Sequence, residues 1–190
     1  QCIKRNCPIL VFSTGGKLMQ YGEKNGMDRI DLPTGYQPRA ALGFSFSLLT
    51  LVLNKLGFVD QKIIDDIKNS ISSLKTLSTN LNNSDNLALE IAKKIHTTCP
   101  IIYGSEDLTW VVALRLRGQL AENAKMLSFH HHFPEQNHNE IEGWTANEDI
   151  MRRFSIVWIH DIDDHQGIKK RMDISSSLLT SPAGSQITIT

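Results

Sequence analysis

The sequence predicts an α/β protein in which a parallel sheet is covered by helices. Short apolar runs rich in β-branched and aromatic residues alternate along the chain with longer stretches of helical composition, and parallel neighbours in a sheet need such crossover helices between them. The chain has 190 residues and a formal net charge of zero. It is therefore long enough to bury one substantial core, and it lacks the excess charge that attracts nucleic acid or an anionic membrane.

The first part of the chain reads as a strand, a turn, a helix and a second strand. An apolar run at residues 8–12 ends in Ser13-Thr-Gly-Gly16, and a helical segment at 17–25 precedes a strand at 29–32. Residues 33–38 contain two prolines and a glycine, which disfavour helix and indicate a boundary. Residues 39–56 are apolar or small at nearly every position. We therefore expect there a helix that is buried on all sides, centrally or at an interface.

The rest of the chain alternates helices and strands. Residues 60–77 place isoleucines and leucines at helical spacing among lysines and aspartates, which indicates an amphipathic helix. The remaining elements are expected as helices at residues 87–95, 106–120 and 165–179, and as strands at 100–103, 154–159 and 186–190. We expect Ser105 to cap the second of these helices, and Asp163 and Asp164 to cap the third.

The cysteines and the apolar runs indicate where the protein works. The three cysteines show no CxxC spacing, so we expect reduced thiols in a cytoplasmic protein. The longest apolar run, residues 40–53, is interrupted by Ser45, Ser47 and Thr50 and is too short to span a membrane. Both ends of the chain adjoin expected buried strands, so we expect a piece of a longer protein, truncated at both ends.

The polar stretch at residues 117–144 is the strongest candidate for chemistry. Glu122 follows a helical pattern, and His138 comes sixteen residues later in a polar turn; a carboxylate and an imidazole are common general bases and acids. Glu122 by itself also reads as an ordinary charged residue at a helix end. The functional reading is favoured because Asn123 stands beside it and because apolar side chains of residues 133–144 would partly desolvate the carboxylate.

Two further clusters have both a functional and a structural interpretation. Ser13-Thr-Gly-Gly16 could cradle a phosphate with its backbone N–H groups, but it lacks the spacing of a P-loop or a dinucleotide fingerprint, and a strand-to-helix turn needs no ligand. His130 and His132 would face the same way in a strand and could pair on a metal ion. No second ligand motif follows at a suitable spacing. We therefore expect no metal and no cofactor, and the role of residues 130–132 stays open.

Several segments together resemble the bifunctional phosphoglucose/phosphomannose isomerases of the sugar isomerase (SIS) superfamily. In chain order they are Pro38-Arg-Ala-Ala-Leu-Gly43, Tyr103-Gly-Ser105, Gln119-Leu-Ala-Glu-Asn-Ala-Lys125, Phe133-Pro-Glu-Gln-Asn-His-Asn-Glu-Ile141, and Asp163-Asp-His165 with Ile168-Lys-Lys-Arg171. The resemblance implies two SIS subdomains, each a three-layer αβα sandwich. Residues 1–37 would be the C-terminal tail of the first subdomain, and residues 38–190 the second subdomain without its C-terminal lid helix.

The resemblance also implies a reaction and roles for particular residues. The family interconverts glucose 6-phosphate and mannose 6-phosphate with fructose 6-phosphate through a cis-enediol, without a metal. Glu122 matches the family's base, His138 matches its ring-opening histidine, and Arg39 matches the arginine that faces the enediolate. In the family the histidine reaches in from the neighbouring subunit of a homodimer. The residues that we expect to contact the substrate are Ser13, Gly15, Gly16 and Asn123.

Two departures from the family pattern limit what this chain is expected to do alone. The family's serine- and threonine-rich phosphate loops and its lid helix, which carries a ring-opening lysine, have no counterpart in the 190 residues. We therefore expect the full-length protein to be the isomerase and this chain alone to have little or no activity, because phosphate binding orients the sugar. Two alternatives are a non-catalytic SIS module that binds a phosphosugar and regulates a partner, and a structural dimerisation segment. A sensor would need neither Glu122 nor His138.

Overall fold

The structure is a computed structural model that describes residues 1–190, which group into two units, Gln1–Ser78 and Thr79–Thr190. The first unit is built around one βαβ crossover. β1 (Leu10–Ser13) leads through a glycine turn into α1 (Gly16–Lys24) and then β2 (Asp28–Asp31). The two strands pair in parallel, with Ser13 opposite Asp31. The strand, helix and strand expected for this segment are confirmed.

Two longer helices follow, and the first of them is not buried as we expected. α2 (Leu42–Lys55) comes after a 3-10 turn at Pro38–Ala40, and α3 (Gln61–Leu81) follows it. Thr50 is the one buried residue of α2, whereas Phe46 is 55% exposed. The prediction that α2 is buried within this chain is therefore wrong, because the sheet of this unit has two strands and is too small to cover the helix; burial at an interface stays a prediction. None of the chain's helices combines the length and apolarity that crossing a lipid bilayer requires.

The second unit contains four parallel strands. They are β3 (Cys99–Ser105), β4 (Phe129–Phe133), β5 (Phe154–Ile159) and β6 (Ser185–Ile189), in the sheet order β4-β3-β5-β6. The helices are α4 (Leu87–Ile95), α5 (Trp110–Gln119), α6 (Glu135–Asn139), α7 (Glu148–Met151) and α8 (Gln166–Leu178). Every element expected for this part of the chain is present. β4 is a strand that the sequence analysis did not assign.

The sheet of the second unit is covered on both faces, which confirms the expected three-layer αβα sandwich. On one face Ile102 and Val157 pack with side chains of α4 and α5, including Ile95 and Ala113. The other face carries larger residues, and its core consists of Tyr103, Phe133, Trp144, Ile156, Trp158, Met172, Leu179 and Ala183. Successive strand residues point to opposite faces. The largely apolar runs of β3 and β5 are therefore required on a sheet that is buried on both sides.

The predicted helix caps need correction at two positions. Ser105 is the last residue of β3, and its Oγ accepts from the backbone N–H of Leu108 and Thr109, so it stabilises the turn before α5 rather than the helix itself. Asp164 likewise accepts from the N–H of Asp161 in the preceding loop. The N-cap of α8 is His165, whose Nδ1 accepts from the backbone N–H of Gly167. In both loops the side chain that was expected to cap the helix accepts a hydrogen bond from a backbone N–H of the adjacent turn instead.

Replacing Gly184 with alanine should destabilise the second unit. Its backbone N–H donates to Phe154 O at 2.8 Å, and an added Cβ would overlap the backbone oxygen of Arg152. We expect Gly184→Ala to lower the free energy of unfolding by about 2–3 kcal/mol. Tryptophan fluorescence during urea unfolding measures this, since all three tryptophans lie in residues 79–190.

Gly118→Ala is the matched control for that substitution. Gly118 lies inside α5, and a Cβ there meets nothing within 4 Å. Because alanine is the better helix former, this variant should gain roughly 0.5–1 kcal/mol. Equal shifts of the two variants in the same direction would contradict the described approach of Gly184 to the Arg152 backbone.

Candidate functional site

Glu122 lies in a π-helical turn, Leu120–Ala124, that continues α5. The turn is held at its start by Leu120, which packs with the core on the α4–α5 face. It ends at Lys125, which adopts the left-handed conformation (φ 56°) and whose Nζ donates to the backbone oxygen of Glu122 at 2.6 Å. Single π turns are rare and often occur at functional sites. The Glu122 side chain is exposed and open to a ligand from solvent.

The surroundings of Glu122 differ from those that the sequence analysis expected. Phe133 and Trp144, which were expected to desolvate the carboxylate, are buried in the core on the opposite face of the sheet. Asn123 is exposed beside Glu122, and its amide nitrogen donates to the side-chain oxygen of Gln119 one turn earlier. The carboxylate and the amide therefore both face solvent, and the expected desolvation by this part of the chain is wrong.

His138 is carried by the five-residue helix α6, which follows β4 after the cis Phe133–Pro134 bond. Its side chain is exposed, whereas neighbouring residues hold the helix to the fold. Gln136 is fully buried, and Asn137 Nδ2 donates to Ser175 Oγ of α8 at 2.9 Å. Since α8 packs on the Tyr103 face of the sheet, α6 belongs to that side.

Glu122 and His138 lie beyond opposite ends of β4 and on opposite faces of the sheet. α5 returns the chain to the amino end of β4, so Glu122 precedes the strand, whereas His138 follows its carboxyl end. A strand of five residues is roughly 13 Å long. Their closeness in sequence therefore does not make Glu122 and His138 a pair within this chain.

The other predicted site residues lie in the first unit, around the carboxyl ends of β1 and β2. Ser13 Oγ donates to the backbone oxygen of Gly15 at 2.8 Å, and Gly15 and Gly16 both have positive φ. Ser13 and Pro38 line one cavity of about 320 Å³. The half-buried Arg39 follows Pro38 in the chain. The turn that carries Arg39 thus borders the Ser13–Gly16 loop.

A partly buried hydrogen-bond chain supports the segment around His138, and the sequence analysis did not identify it. Tyr103 Oη donates to Glu140 Oε2 at 3.0 Å and accepts from Trp144 Nε1 at 3.1 Å. Burial, and then the nearby charge of Glu140, raises the pKa of Tyr103 well above its ordinary value of 10.0. The one signal in the sequence was a tyrosine in a buried strand, which needs a partner for its hydroxyl.

The three consecutive histidines occupy β4 and alternate between the two faces of the sheet. His131 lies opposite Tyr103 in the sheet, and its Nε2 is 3.8 Å from Glu140 Oε1. His130 is half-buried on the other face, where burial lowers its pKa and the Arg117 guanidinium acts in the same direction. The expected alternation is confirmed. His130 and His132 therefore share one face of the sheet, and His131 lies on the other.

Most of the second unit matches a known protein family. The family model described as the bacterial phospho-glucose isomerase C-terminal SIS domain matches residues 84–190. A bifunctional phosphoglucose/phosphomannose isomerase of Caldicellulosiruptor bescii is 38% identical over 179 residues, which are 92% of this chain and 52% of that protein. A D-glucosamine-6-phosphate 4-epimerase of Sulfolobus acidocaldarius is 33% identical over 143 residues, 74% of this chain and 43% of that protein. The chain spans about half the length of the relatives that it matches.

A solved structure shares the fold. It is a Clostridium difficile protein, provisionally described as a phosphosugar isomerase, with a TM-score of 0.60 over 98% of this chain and 52% of its own. The sequence identity is 16%, so this likeness concerns the fold alone. It agrees with the parallel sheets and flanking helices described above.

The buried Tyr103 should make the stability of the second unit fall at high pH. The raised pKa means that the folded state holds the phenol proton more tightly than the unfolded state. The stabilisation is therefore complete below the unfolded pKa of about 10 and is lost as the pH rises toward the folded pKa. By pH 11 the loss should reach about 1.4 kcal/mol.

Urea unfolding at pH 8 and pH 11 tests this, with Tyr103→Phe as the comparison. The variant should lose less stability between the two pH values than the wild-type chain does. Since both proteins carry the same other titrating groups, the difference isolates Tyr103. Equal losses in the two proteins would contradict the burial described for its hydroxyl.

Proposed function

Because the chain belongs to the family of bacterial phosphoglucose isomerase C-terminal SIS domains, we propose that the full-length protein is an aldose–ketose isomerase. It interconverts glucose 6-phosphate, and also mannose 6-phosphate, with fructose 6-phosphate through a cis-enediol and without a metal ion. The observation that carries this proposal is the exposed Glu122 carboxylate, presented on a π turn within a segment that matches the family's base. The 38% identity to a bifunctional isomerase supports it.

Glu122 acts as the base that moves one proton between two neighbouring carbons. The carboxylate removes the C2 proton of the open-chain aldose, and the electrons of that bond form the C1–C2 double bond while the C1=O π electrons move to O1. The O2 hydroxyl proton then passes to O1, so that the O2 electrons form the C2 carbonyl, and the C1–C2 π electrons take the proton back from the carboxylic acid at C1. A single carboxylate suits this work because it accepts and returns the proton without leaving hydrogen-bond reach. The Arg39 guanidinium stabilises the negative charge on the enediolate oxygen. Ser13, Gly15, Gly16 and Asn123 bind the substrate's polar groups.

His138 opens the sugar ring, and it acts in the active site of the partner subunit in a homodimer. An imidazole suits this step because it titrates near the working pH and can both donate and accept a proton. The opposite placement of Glu122 and His138 around β4 supports the assignment, since one subunit directs the two side chains away from each other. A two-fold dimer would then supply each site with one residue from either chain.

We also infer the expected subdomain assignment, with residues 1–37 as the tail of the first SIS subdomain and residues 38–190 as the second. The units of the structure divide at Ser78 and Thr79, and the family match begins at residue 84. The expected boundary and the boundary between the units therefore differ by residues 38–78, which contain α2 and most of α3. The largely apolar composition of α2 is suited to burial by parts of the full-length protein.

A different reaction on a hexosamine 6-phosphate is the second candidate function. It is favoured by the relative from Sulfolobus acidocaldarius, whose name gives D-glucosamine 6-phosphate as its substrate. Incubation of the full-length protein with glucose, mannose and glucosamine 6-phosphates, followed by product analysis, separates the two candidates. Fructose 6-phosphate from the first two sugars supports the isomerase, whereas a C4 epimer from the third alone supports the alternative.

Replacing Glu122 with glutamine should abolish proton transfer while leaving the site's shape nearly unchanged. We expect kcat of the full-length protein to fall about 100- to 10,000-fold, the usual contribution of a general base, with sugar-phosphate binding nearly intact. A coupled assay in the presence of EDTA measures turnover, and calorimetry measures binding. Glu90→Gln on α4, which alters an exposed carboxylate in the same unit, should leave kcat unchanged. Full activity of the Glu122→Gln variant would contradict the mechanism. Loss of wild-type activity on adding EDTA would contradict its independence of a metal ion.

Mixing two inactive variants should restore activity if the catalytic residues come from different subunits. A dimer of one Glu122→Gln chain and one His138→Asn chain has one intact site and one doubly defective site. Random mixing makes half of the dimers mixed, so about a quarter of wild-type activity should return. The assay is run after the two variants are unfolded and refolded together. No recovery, with mixed dimers shown to form, would place both residues in one subunit's site.

A further inference from the structure

We propose that Tyr103 and Glu140 are positioning residues for His138: the buried tyrosine hydroxyl, acting through the Glu140 carboxylate, holds in place the short helix that carries the histidine. The inference rests on the proposed function, in which His138 opens the sugar ring. It adds two residues that do not touch the substrate and act only through the orientation of α6.

The need for such support follows from the length of α6. The helix has five residues, Glu135–Asn139, and isolated helices shorter than about 12–15 residues are marginal in water. Its N-cap, Pro134, makes no side-chain capping bond. The position of His138 must therefore come from side-chain contacts with the rest of the unit.

Three contacts hold this segment, and they surround His138 in the chain. Before it, Gln136 is fully buried and Asn137 Nδ2 bonds to Ser175 Oγ of α8. After it, Glu140 accepts from Tyr103 of β3 at 3.0 Å. His138 lies between these anchors and is exposed. Without the bond to Tyr103, Glu140 at the carboxyl end of the helix would keep only its longer 3.8 Å contact with His131 Nε2 of the edge strand.

Tyr103 is a rigid anchor because its ring is packed on several sides. It is 0% exposed, with Phe133 and Trp158 at ring-centroid distances of 5.9 and 5.2 Å. The hydrogen bonds to its hydroxyl also have a fixed direction. The indole N–H of Trp144 can only donate, so it occupies an acceptor position of the phenol oxygen. The phenol proton is then directed to the ionised carboxylate of Glu140, a stronger bond than one between neutral groups.

A double-mutant cycle in the full-length protein tests whether Tyr103 acts through His138. Tyr103→Phe keeps the packed ring and removes the hydroxyl; we expect kcat to fall about 10- to 100-fold, the cost of misplacing a catalytic group by about 1 Å, with KM little changed. In a His138→Asn background the same substitution should cause no further loss. An equal loss in both backgrounds would overturn the proposal, because Tyr103 would then act independently of His138.

Variants of Glu140 and a distant control separate positioning from general stability. Glu140→Gln keeps an acceptor oxygen and should retain most of the activity, whereas Glu140→Ala should match Tyr103→Phe. Thr98→Val removes a bond to Ser155 in the same unit, away from α6, and should leave kcat unchanged. A loss in Thr98→Val as large as that in Tyr103→Phe would assign the effect to destabilisation and would count against the proposal.

Amide hydrogen exchange gives a readout that does not depend on catalysis. Losing one anchoring hydrogen bond should speed exchange of residues 135–140 by roughly fivefold in Tyr103→Phe, and Thr98→Val should leave that segment as in wild type. Unchanged exchange in Tyr103→Phe would refute the support of α6, whatever the activity. If His138→Asn alone keeps full turnover, the ring-opening role in the proposed function fails, and the exchange result still decides whether Tyr103 holds the helix.

Discussion

Parallel strands can be joined only by connections that cross a face of the sheet, and this requirement decides where the candidate catalytic residues lie. α5 returns the chain from the carboxyl end of β3 to the amino end of β4, so the turn just after it presents Glu122 at that end. The chain then runs along β4, within the sheet, and enters α6 at the other end of that strand, where His138 faces solvent. Two residues separated by sixteen positions thus point away from each other because one edge strand lies between them.

The layered fold follows from composition because burial on both faces of a sheet leaves a clear pattern. α4 and β5 coincide with the segments expected at residues 87–95 and 154–159, where apolar periodicity is unbroken. β4 was not assigned because three of its five residues are histidines. An edge strand is partly open to solvent and can be polar, so hydrophobic patterning identifies it less well. The helix caps shifted for a related reason, since serine and aspartate side chains bond to whichever nearby N–H is closest.

The candidate site was less accessible to sequence reasoning than the fold. Its polar density pointed to Glu122, Asn123 and His138, but no pattern in the chain states which side chains share a face or an end of the sheet. The bond between Tyr103 and Glu140 joins residues 37 positions apart, and only the packing of β3 against the segment after β4 brings them together. The largely apolar α2 illustrates the same limit, because apolar composition predicts that a helix needs to be covered but does not identify the surface that covers it.

The π turn at Leu120–Ala124 gives the direction of Glu122 an unusual origin. A π turn differs from an α-helical turn by one residue, because its hydrogen bonds span five residues instead of four. The direction of the Glu122 carboxylate therefore depends on the number of residues between the packed Leu120 and the left-handed Lys125. The identity of those residues matters less. In evolution, the insertion or deletion of a single residue here could redirect the Glu122 carboxylate while leaving the sheet and its core untouched. Relatives with the same fold could in this way acquire a different reaction without first rebuilding the domain that carries it.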